Sequence, residues 1–586
     1  MRYLDITNIY DKIRRTSKRL EKTYLISEFL REISNEELED IIQLLQGRIF
    51  PIWSNQKIGV SSSIVAKAIV LATGMSNSTI EKEWKNTGDL GEAAGNLIRN
   101  KKQSTLFSED LSIKKVIRNI KKLAEIEGSG SVGIKINLIA ELLTSAKPRE
   151  AVYITRTILE DLRVGIADGT LRDAIAWTFF AKDMKFRYSK EGKTTEVEDR
   201  EVYNKYIEAV QEAYDLSNDF LEVARVAKDK GIAGLREINL KAGIPIKVML
   251  AQKVKNAEEA LARVGIPAEL EYKYDGFRMQ IHKEESGKIQ IYTRRLEDVT
   301  NQFPDVVKLV RTHFNGSSFI LDSEAVGYDP KTGKYLPFQS ISQRIKRKYD
   351  IQKLAEQFPV ELNIFDLLFY NGKNLLKTPF AQRRNILENN IHEALLKIGL
   401  AKKRVVETEN ELNEFYNESL SKGNEGLMIK NISAPYKPGS RVGYMVKLKP
   451  VMDSLDLVIV GAEWGEGKRS KWLSSFTLSC TDNDGDFVEI GKVGTGIKEK
   501  EDQGGISFNS MTNLLNPLII SEKGKEVRVK PQIIVEVKFE EIQKSSTYNS
   551  GYALRFPRVV NIRNDRLPED ASNIDLVKDL FYNQNK

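Results

Sequence analysis

Hydrophobic periodicity changes twice along this 586-residue chain, and those two changes restrict its fold more than any other feature. From Ile6 to about Leu235, segments such as LISEFLREI, NLIAELL and AVYITRTILEDL place apolar residues three and four apart between Gly, Ser, Asn or Pro breaks. That is the period of amphipathic helices. After KAGIPIKVMLA the apolar runs shorten and fill with Val, Ile, Tyr and Phe. AELEYKYDGFRMQIHK, KIQIYTRR, FILDSEAVGYD and VELNIFDLLFY read as strands, and the helical pattern PFAQRRNILENNIHEALLKI among them argues against an all-β domain. Past Lys449, LDLVIVGAEWG, FTLSCTD, FVEIGKVG and IIVEVKFEEI, spaced by turn residues, predict a compact β-barrel. The expected architecture is multidomain: an all-α domain over residues 1–235, an α/β domain with a mixed sheet over 236–449, and a β-barrel over 450–586.

Composition narrows the function classes. Ninety Lys and Arg against 82 Asp and Glu leave a net charge of +8, which favours a polyanionic partner without requiring one. A lone cysteine, Cys480, builds neither an intrachain disulfide nor a four-thiolate zinc site, and the three histidines leave little for a histidine metal cluster. No apolar run approaches the ~20 residues of a membrane span. The amino terminus, MRYLDITNIYDKIRRTSK, lacks the apolar core of a secretory signal. The expectation is an intracellular protein, cytoplasmic or nucleoid, without membrane association.

The sharpest local signal is Glu271-Tyr272-Lys273-Tyr274-Asp275-Gly276-Phe277-Arg278, where a lysine ends a strand and Asp-Gly turns the chain directly after it. Such geometry aims an amine into a cleft. At its reference pKa of ~10.4 a lysine is almost wholly protonated at neutral pH, so a nucleophilic one needs desolvation or neighbouring cations. An isolated Lys-x-Asp-Gly reads equally as a surface lysine beside an ordinary turn. Further polar stations follow in order: Arg294 in IYTRRLEDVT, Glu324 in FILDSEAVGYD, Phe365 in VELNIFDLLFYNG, Glu425 and Lys430 in NEGLMIKN, Lys447 and Lys449 in YMVKLKP. Each alone reads as a strand-end charge, a solvated strand residue or a core aromatic.

Jointly and in this order, these stations resemble the lysine-dependent nucleotidyltransferases: DNA ligases, RNA ligases and mRNA capping enzymes. GSGSVGIKINLIAELL and LEDLRVGIADGTLRDAIA resemble the helical DNA-binding domain of archaeal and eukaryotic replicative ATP-dependent DNA ligases. PIKVMLA is similar to the start of their adenylation domain, and LDLVIVGAEWGEGKRS with LRFPRVVNIRNDRLPEDAS to their oligonucleotide-binding (OB) fold. The resemblance covers about residues 100–575. Met445 departs from it, standing where the family usually has tryptophan.

The resemblance implies a reaction joining a DNA 3′-hydroxyl to a 5′-phosphate through a lysine–AMP and then a DNA-adenylate, in replication, repair and recombination. It implies ATP and Mg²⁺ as cofactors and nicked duplex DNA as partner. Lys273 is then the nucleophile, and Lys447 and Lys449 clamp the α-phosphate. Arg278 and Arg294 contact the nucleotide sugar or the DNA 5′-phosphate, and Arg441 a nucleotide phosphate. Phe365 stacks on adenine and Glu271 accepts from its amino group. Glu324 and Glu425 offer the hard oxygen ligands that suit Mg²⁺. In the terminal barrel Arg563 and Arg566 orient the pyrophosphate. The glycine-rich GSGSVG, residues 128–133, lacks the Gly-Lys-Ser/Thr of a Walker loop. It reads either as a turn whose amides meet DNA phosphates or as an ordinary loop.

Lys-Tyr-Asp-Gly alone fits an RNA ligase or a capping guanylyltransferase as well, and a non-catalytic DNA-binding scaffold is the reading from another class. The helical extension favours a DNA ligase, and the single cysteine disfavours an NAD⁺-dependent one. Finally, Gln103, Leu106 and Phe107 in NKKQSTLFSED resemble a shortened sliding-clamp-binding peptide, with self-packing as the alternative. The expected state is a monomer.

Overall fold

The amino-terminal third is helical because its apolar stripes have nothing else to bury against. Ile113–Glu125 shows the logic: Ile113, Val116, Ile117, Ile120 and Leu123 are buried, at helical spacing, and the Ser112 side chain caps the helix by accepting from the Lys115 amide. Helix Pro148–Ile158 and helix Asp168–Phe180 lie wholly or largely in the core, with Trp177 fully buried. The computed structural model describes residues 1–584 apart from 52, 55, 102–109, 129, 337–340, 342–343, 346–349, 440–441, 451–453 and 500–504. Among the described residues no helix is long and apolar enough to cross a membrane.

The chain forms two compact units, residues 1–64 with 106–449 and residues 65–105 with 450–586. In the first, the helical region carries one feature its periodicity does not predict. Strands β1, Phe186–Ser189, and β2, Thr194–Val197, form an antiparallel hairpin. Phe186 packs its ring 4.8 Å from Trp177, and Tyr188 stacks on Tyr24 at 4.5 Å. Four-residue strands are too short for period-two alternation to stand out.

Two sheets follow in the same unit. One contains β3 (Gln252–Val254), β4 (Ala268–Lys273), β11 (Lys403–Val406), β12 (Gly426–Asn431) and β13 (Met445–Leu448), in the order β11-β4-β12-β13-β3. The other contains β5 (Phe277–Lys283), β6 (Ile289–Thr293), β7 (Phe319–Gly327), β8 (Val360–Tyr370), β9 (Lys373–Asn374) and β10 (Ile398–Leu400), in the order β10-β8-β7-β5-β6, with β9 on β8. Most pairs are antiparallel, but β10 runs parallel to β8 and β13 to β3, so both sheets are mixed. Val326 and Phe365 of the second sheet pack into the apolar core of the first, so the two sheets share an interior.

The helical pattern PFAQRRNILENNIHEALLKI is realised only in part. The helix spans Phe380–Glu388 and ends at Asn389, after which Ile391 bridges to Phe314 and the chain runs into β10. Consecutive asparagines favour turns over a further helical turn.

In the second unit, β14 (Ser454–Trp464) is an eleven-residue strand that pairs with β15 (Leu473–Thr481), β18 (Glu526–Val529) and β19 (Ile534–Lys538) along its length. With β16 (Phe487–Val493), β17 (Ile519–Lys523) and β22 (Arg558–Ile562) it makes a seven-stranded sheet. Leu455, Leu457, Phe476, Leu478, Val535 and Val537 fill its core. A hairpin of β20 (Glu541–Lys544) and β21 (Tyr552–Arg555) and the terminal helix Ile574–Asn583 complete this β-rich region.

Candidate active site

Strand β4 is amphipathic in an unusual way. Ala268, Leu270 and Tyr272 enter the apolar core, while Glu269, Glu271 and Lys273 alternate onto the other face, and both glutamates are buried. Buried charge is tolerable only when paired. Glu271 forms an ion pair with Lys430 Nζ at 2.5 Å and accepts from an Arg384 terminal nitrogen at 3.3 Å, and Lys403 lies 3.8 Å from Glu269.

Directly after Lys273 the chain leaves one sheet for the other, because β4 and β5 are joined only by Tyr274-Asp275-Gly276. A side chain at Gly276 would meet the Ala325 carbonyl oxygen at 2.6 Å and Glu324 Cγ at 2.8 Å, so glycine is what lets the crossover lie against β7. Gly426, opposite Lys273 in the register, has φ of +133° and would place a Cβ 2.1 Å from the Leu448 carbonyl oxygen. Both glycines serve close backbone approach around the lysine.

The Lys273 side chain is 21% exposed and its ammonium forms an ion pair with Glu425. The same carboxylate oxygen lies 2.7 Å from Lys449 Nζ, and the Glu425 amide donates to the Lys273 carbonyl at 2.8 Å. Burial raises the Glu425 carboxyl, but Lys273 and Lys449 overcome it and hold the group down at about 2. Glu324, opposite Arg278 in the β5–β7 register, behaves in the reverse way. Burial pushes it up to about 8, although Lys273 and Arg278 pull it down. Two carboxyl groups near one lysine thus differ in protonation at neutral pH.

Arg278 pairs with buried Asp322, and one of its terminal nitrogens makes no hydrogen bond among the described residues. Phe365 is half-buried, with the Lys430 ammonium 4.9 Å from its ring centroid. Lys447 lies on the same face of its sheet as Met428 and Glu271, which are consecutive across the register. Arg294 is exposed in the turn after β6, with no ion pair among the described residues. Arg563 and Arg566 belong to the other unit, where both pair with Asp456 at 3.0 Å. Arg441, Gln103, Leu106 and Phe107 lie outside the described residues.

Sequence reasoning missed the arginines that hold this interior together. Helix Phe380–Glu388 buries Phe380, Arg383, Arg384 and Leu387, placing two arginines on its apolar stripe. Arg383 grips Asp366 with two 2.8 Å bonds, and Arg384 also donates to the carbonyl oxygens of Ala401 at 2.7 Å and Ile364 at 3.3 Å. Charged residues at core-face positions were the available signal. Met428, half-buried between Glu271 and Lys447, offers an apolar wall that the stations also omitted.

Among the described residues no group of three or more His, Cys, Asp and Glu could cage a metal. The site instead gathers Lys273, Lys449, Arg278 and Lys430 around two carboxyl groups and an aromatic, a set that suits a nucleoside triphosphate.

Comparison with known proteins agrees along the chain. Family profiles described as DNA ligase N terminus, ATP dependent DNA ligase domain and ATP dependent DNA ligase C terminal region match residues 2–176, 248–449 and 469–566. The DNA ligase of Nanoarchaeum equitans is 46% identical over 590 residues, spanning 100% of this chain and 99% of that protein. The DNA ligase of Thermococcus fumicolans is 39% identical, spanning 99% and 98%. A solved structure named Pmar-Lig_Pre shares the fold, with a TM-score of 0.57 at 16% identity over 95% of this chain and 99% of its own. The full-length likeness to DNA ligases decides among the readings that Lys-Tyr-Asp-Gly leaves open, and the chain belongs to the archaeal-type ATP-dependent DNA ligases, enzymes that seal nicks in DNA.

Proposed function

We propose that Lys273 is the nucleophile of this ligase and that sealing runs through a lysine–AMP and then a DNA-adenylate. The observation that carries this reading is the position of Lys273 at the crossover between two sheets, sharing Glu425 with Lys449. Nζ of Lys273 attacks the α-phosphorus of ATP; a P–N bond forms, the bond to the bridging oxygen breaks, pyrophosphate leaves and the amine proton passes to solvent. A 5′-phosphate oxygen of the nick then displaces Lys273 from the α-phosphorus. In the last step the 3′-hydroxyl attacks the 5′-phosphorus, loses its proton and releases AMP.

Positioning and charge neutralisation dominate such transfers. Lys447 and Lys449 face the α-phosphate from β13 and its end. Arg278, with its unengaged nitrogen, and exposed Arg294 take the sugar or the 5′-phosphate, and Arg441 a nucleotide phosphate. Phe365 stacks on adenine, Met428 closes the opposite side, and Glu271 accepts from the amino group. Glu425, already ionised, and half-buried Glu324 fit a largely hydrated Mg²⁺ held by few protein ligands. That ion would neutralise charge on the phosphate oxygens. Arg563 and Arg566 orient pyrophosphate during lysine adenylation.

Residues 1–235 grip DNA, with the helix start at Ser131 behind Gly128 and Gly130 meeting phosphates; residues 236–449 perform adenylation; residues 450–586 form the OB domain. The enzyme works inside the cell as a monomer, which sedimentation at the 66.6 kDa mass would check. Gln103, Leu106 and Phe107 engage a sliding clamp, so replacing Leu106 and Phe107 with alanine should remove clamp-stimulated ligation while leaving the unstimulated rate.

Incubation with α-labelled ATP and Mg²⁺, without DNA, should place AMP on Lys273, and a nicked duplex should then take the label on its 5′ end. Label on another residue would remove Lys273 from the role, and labelling unchanged by EDTA would remove the metal.

A further inference from the structure

Glu269 and Glu271 stand two residues apart on one face of β4, both buried, with carboxyl groups that repel each other. Burial, and then Glu271, raise the Glu269 carboxyl. Glu271 is treated differently by its surroundings. One of its oxygens lies 2.5 Å from the Lys430 ammonium as an ion pair, and the other accepts from Arg384 at 3.3 Å. Arg384 is itself 2% exposed and fixed on three further sides, by the carbonyl oxygens of Ala401 and Ile364 and by Glu388 at 3.0 Å. One of those anchors, Ile364, precedes Phe365 in the chain. The preceding residue of the helix, Arg383, holds Asp366 on the other side of Phe365. The helix Phe380–Glu388 therefore fixes the aromatic and the carboxylate together.

A carboxylate engaged by two cations has no proton to offer and can only accept. Beside a purine stacked on Phe365, it welcomes an exocyclic amino group and opposes a 6-oxo oxygen, since two acceptors facing each other in a buried site leave both unpaired. We propose that Arg384 is a positioning residue that, together with Lys430, keeps Glu271 acceptor-only and so makes lysine adenylation selective for a 6-aminopurine nucleotide over a 6-oxopurine one. The inference rests on the reading of Glu271 as the residue that meets the base.

The test is lysine adenylation of the full-length protein with ATP and with ITP, which carries a 6-oxo acceptor and an N1 proton in place of the amino donor. Removing one charge-assisted contact should lower the ATP-to-ITP ratio of kcat/KM by about tenfold in Arg384→Gln, through a raised KM for ATP with ITP little changed. Arg384→Lys, which keeps the charge, should restore most of the ratio. Lys430→Gln approaches Glu271 from its other oxygen and carries the same expectation, which serves if Arg384→Gln melts too low to assay. Glu271→Gln, whose amide donates as well as accepts, should lower the ratio further than either. Equal losses with both nucleotides in Arg384→Gln or Lys430→Gln, beside a lowered ratio in Glu271→Gln, would overturn the role of the cations and leave the base reading standing. An unchanged ratio in Glu271→Gln would remove Glu271 from base recognition and this inference with it.

Discussion

Glu324 and Glu425 both lie within reach of the Lys273 charge, yet their neighbours set them about six units apart, near 8 and near 2. The difference has a measurable sign. Folded Glu324 keeps a proton that the unfolded chain releases above its ordinary 4.5, so the folded state binds more protons between the two values and stability falls as pH rises through that window. Glu324→Gln is neutral throughout. Its melting temperature minus that of the unchanged protein should therefore grow from pH 5 to about 8 and then level off. A flat difference would mean that Glu324 is ionised in the folded protein. Glu425 acts oppositely: its ionised form contributes stability above 4.5 that is lost as pH falls toward 2. The residue types at these positions were legible in the sequence. Their pairing was not, because Lys273 meets Glu425 through the register of β4 with β12, and register is a long-range choice.

At the level of elements, helix Phe380–Glu388 shows where sequence patterns stop being informative. Its stripe of Phe380, Arg383, Arg384 and Leu387 has correct helical spacing, but half of it is charged, so only the partners reveal it as a core face. Asp366 sits between apolar residues of β8 and gives no local hint of the two bonds from Arg383. Breaking this buried pair leaves a bare carboxylate. Arg383→Leu should destabilise the protein by ~3–5 kcal/mol, and adding Asp366→Asn should recover part of the loss, as denaturant unfolding would show. A loss below ~1 kcal/mol in the single variant would mean that Asp366 takes up its proton without penalty or that water reaches it. The β1–β2 hairpin and the early end of the helix at Asn389 were hidden for a simpler reason, since four-residue strands and asparagine turns carry little periodic signal.

For the whole molecule, the proposed roles fall in two compact units, with Lys273 in one and the Asp456-bound arginines Arg563 and Arg566 in the other. Pyrophosphate exists only in the first transfer. Replacing both arginines should accordingly slow lysine adenylation far more than sealing of DNA that already carries a 5′-adenylate, whereas equal losses would make them DNA contacts. Binding of nicked duplex should fall steeply with salt, as counterion release from phosphate contacts requires, and vary little with sequence. The broad three-part architecture and the order of the stations were readable from periodicity and motif spacing. The ion pairs that fix Glu271 and Phe365 join residues far apart in the chain, Arg384 lying 113 positions from Glu271 and Lys430 farther still, and emerge only on folding. The most direct test of the account replaces Lys273 with alanine and follows two reactions of the full-length protein. Labelling by ATP and sealing from ATP should vanish while nicked-DNA binding stays nearly intact, and DNA supplied with a 5′-adenylate should still be sealed; retained AMP labelling in that variant would contradict the assignment of Lys273 at its centre.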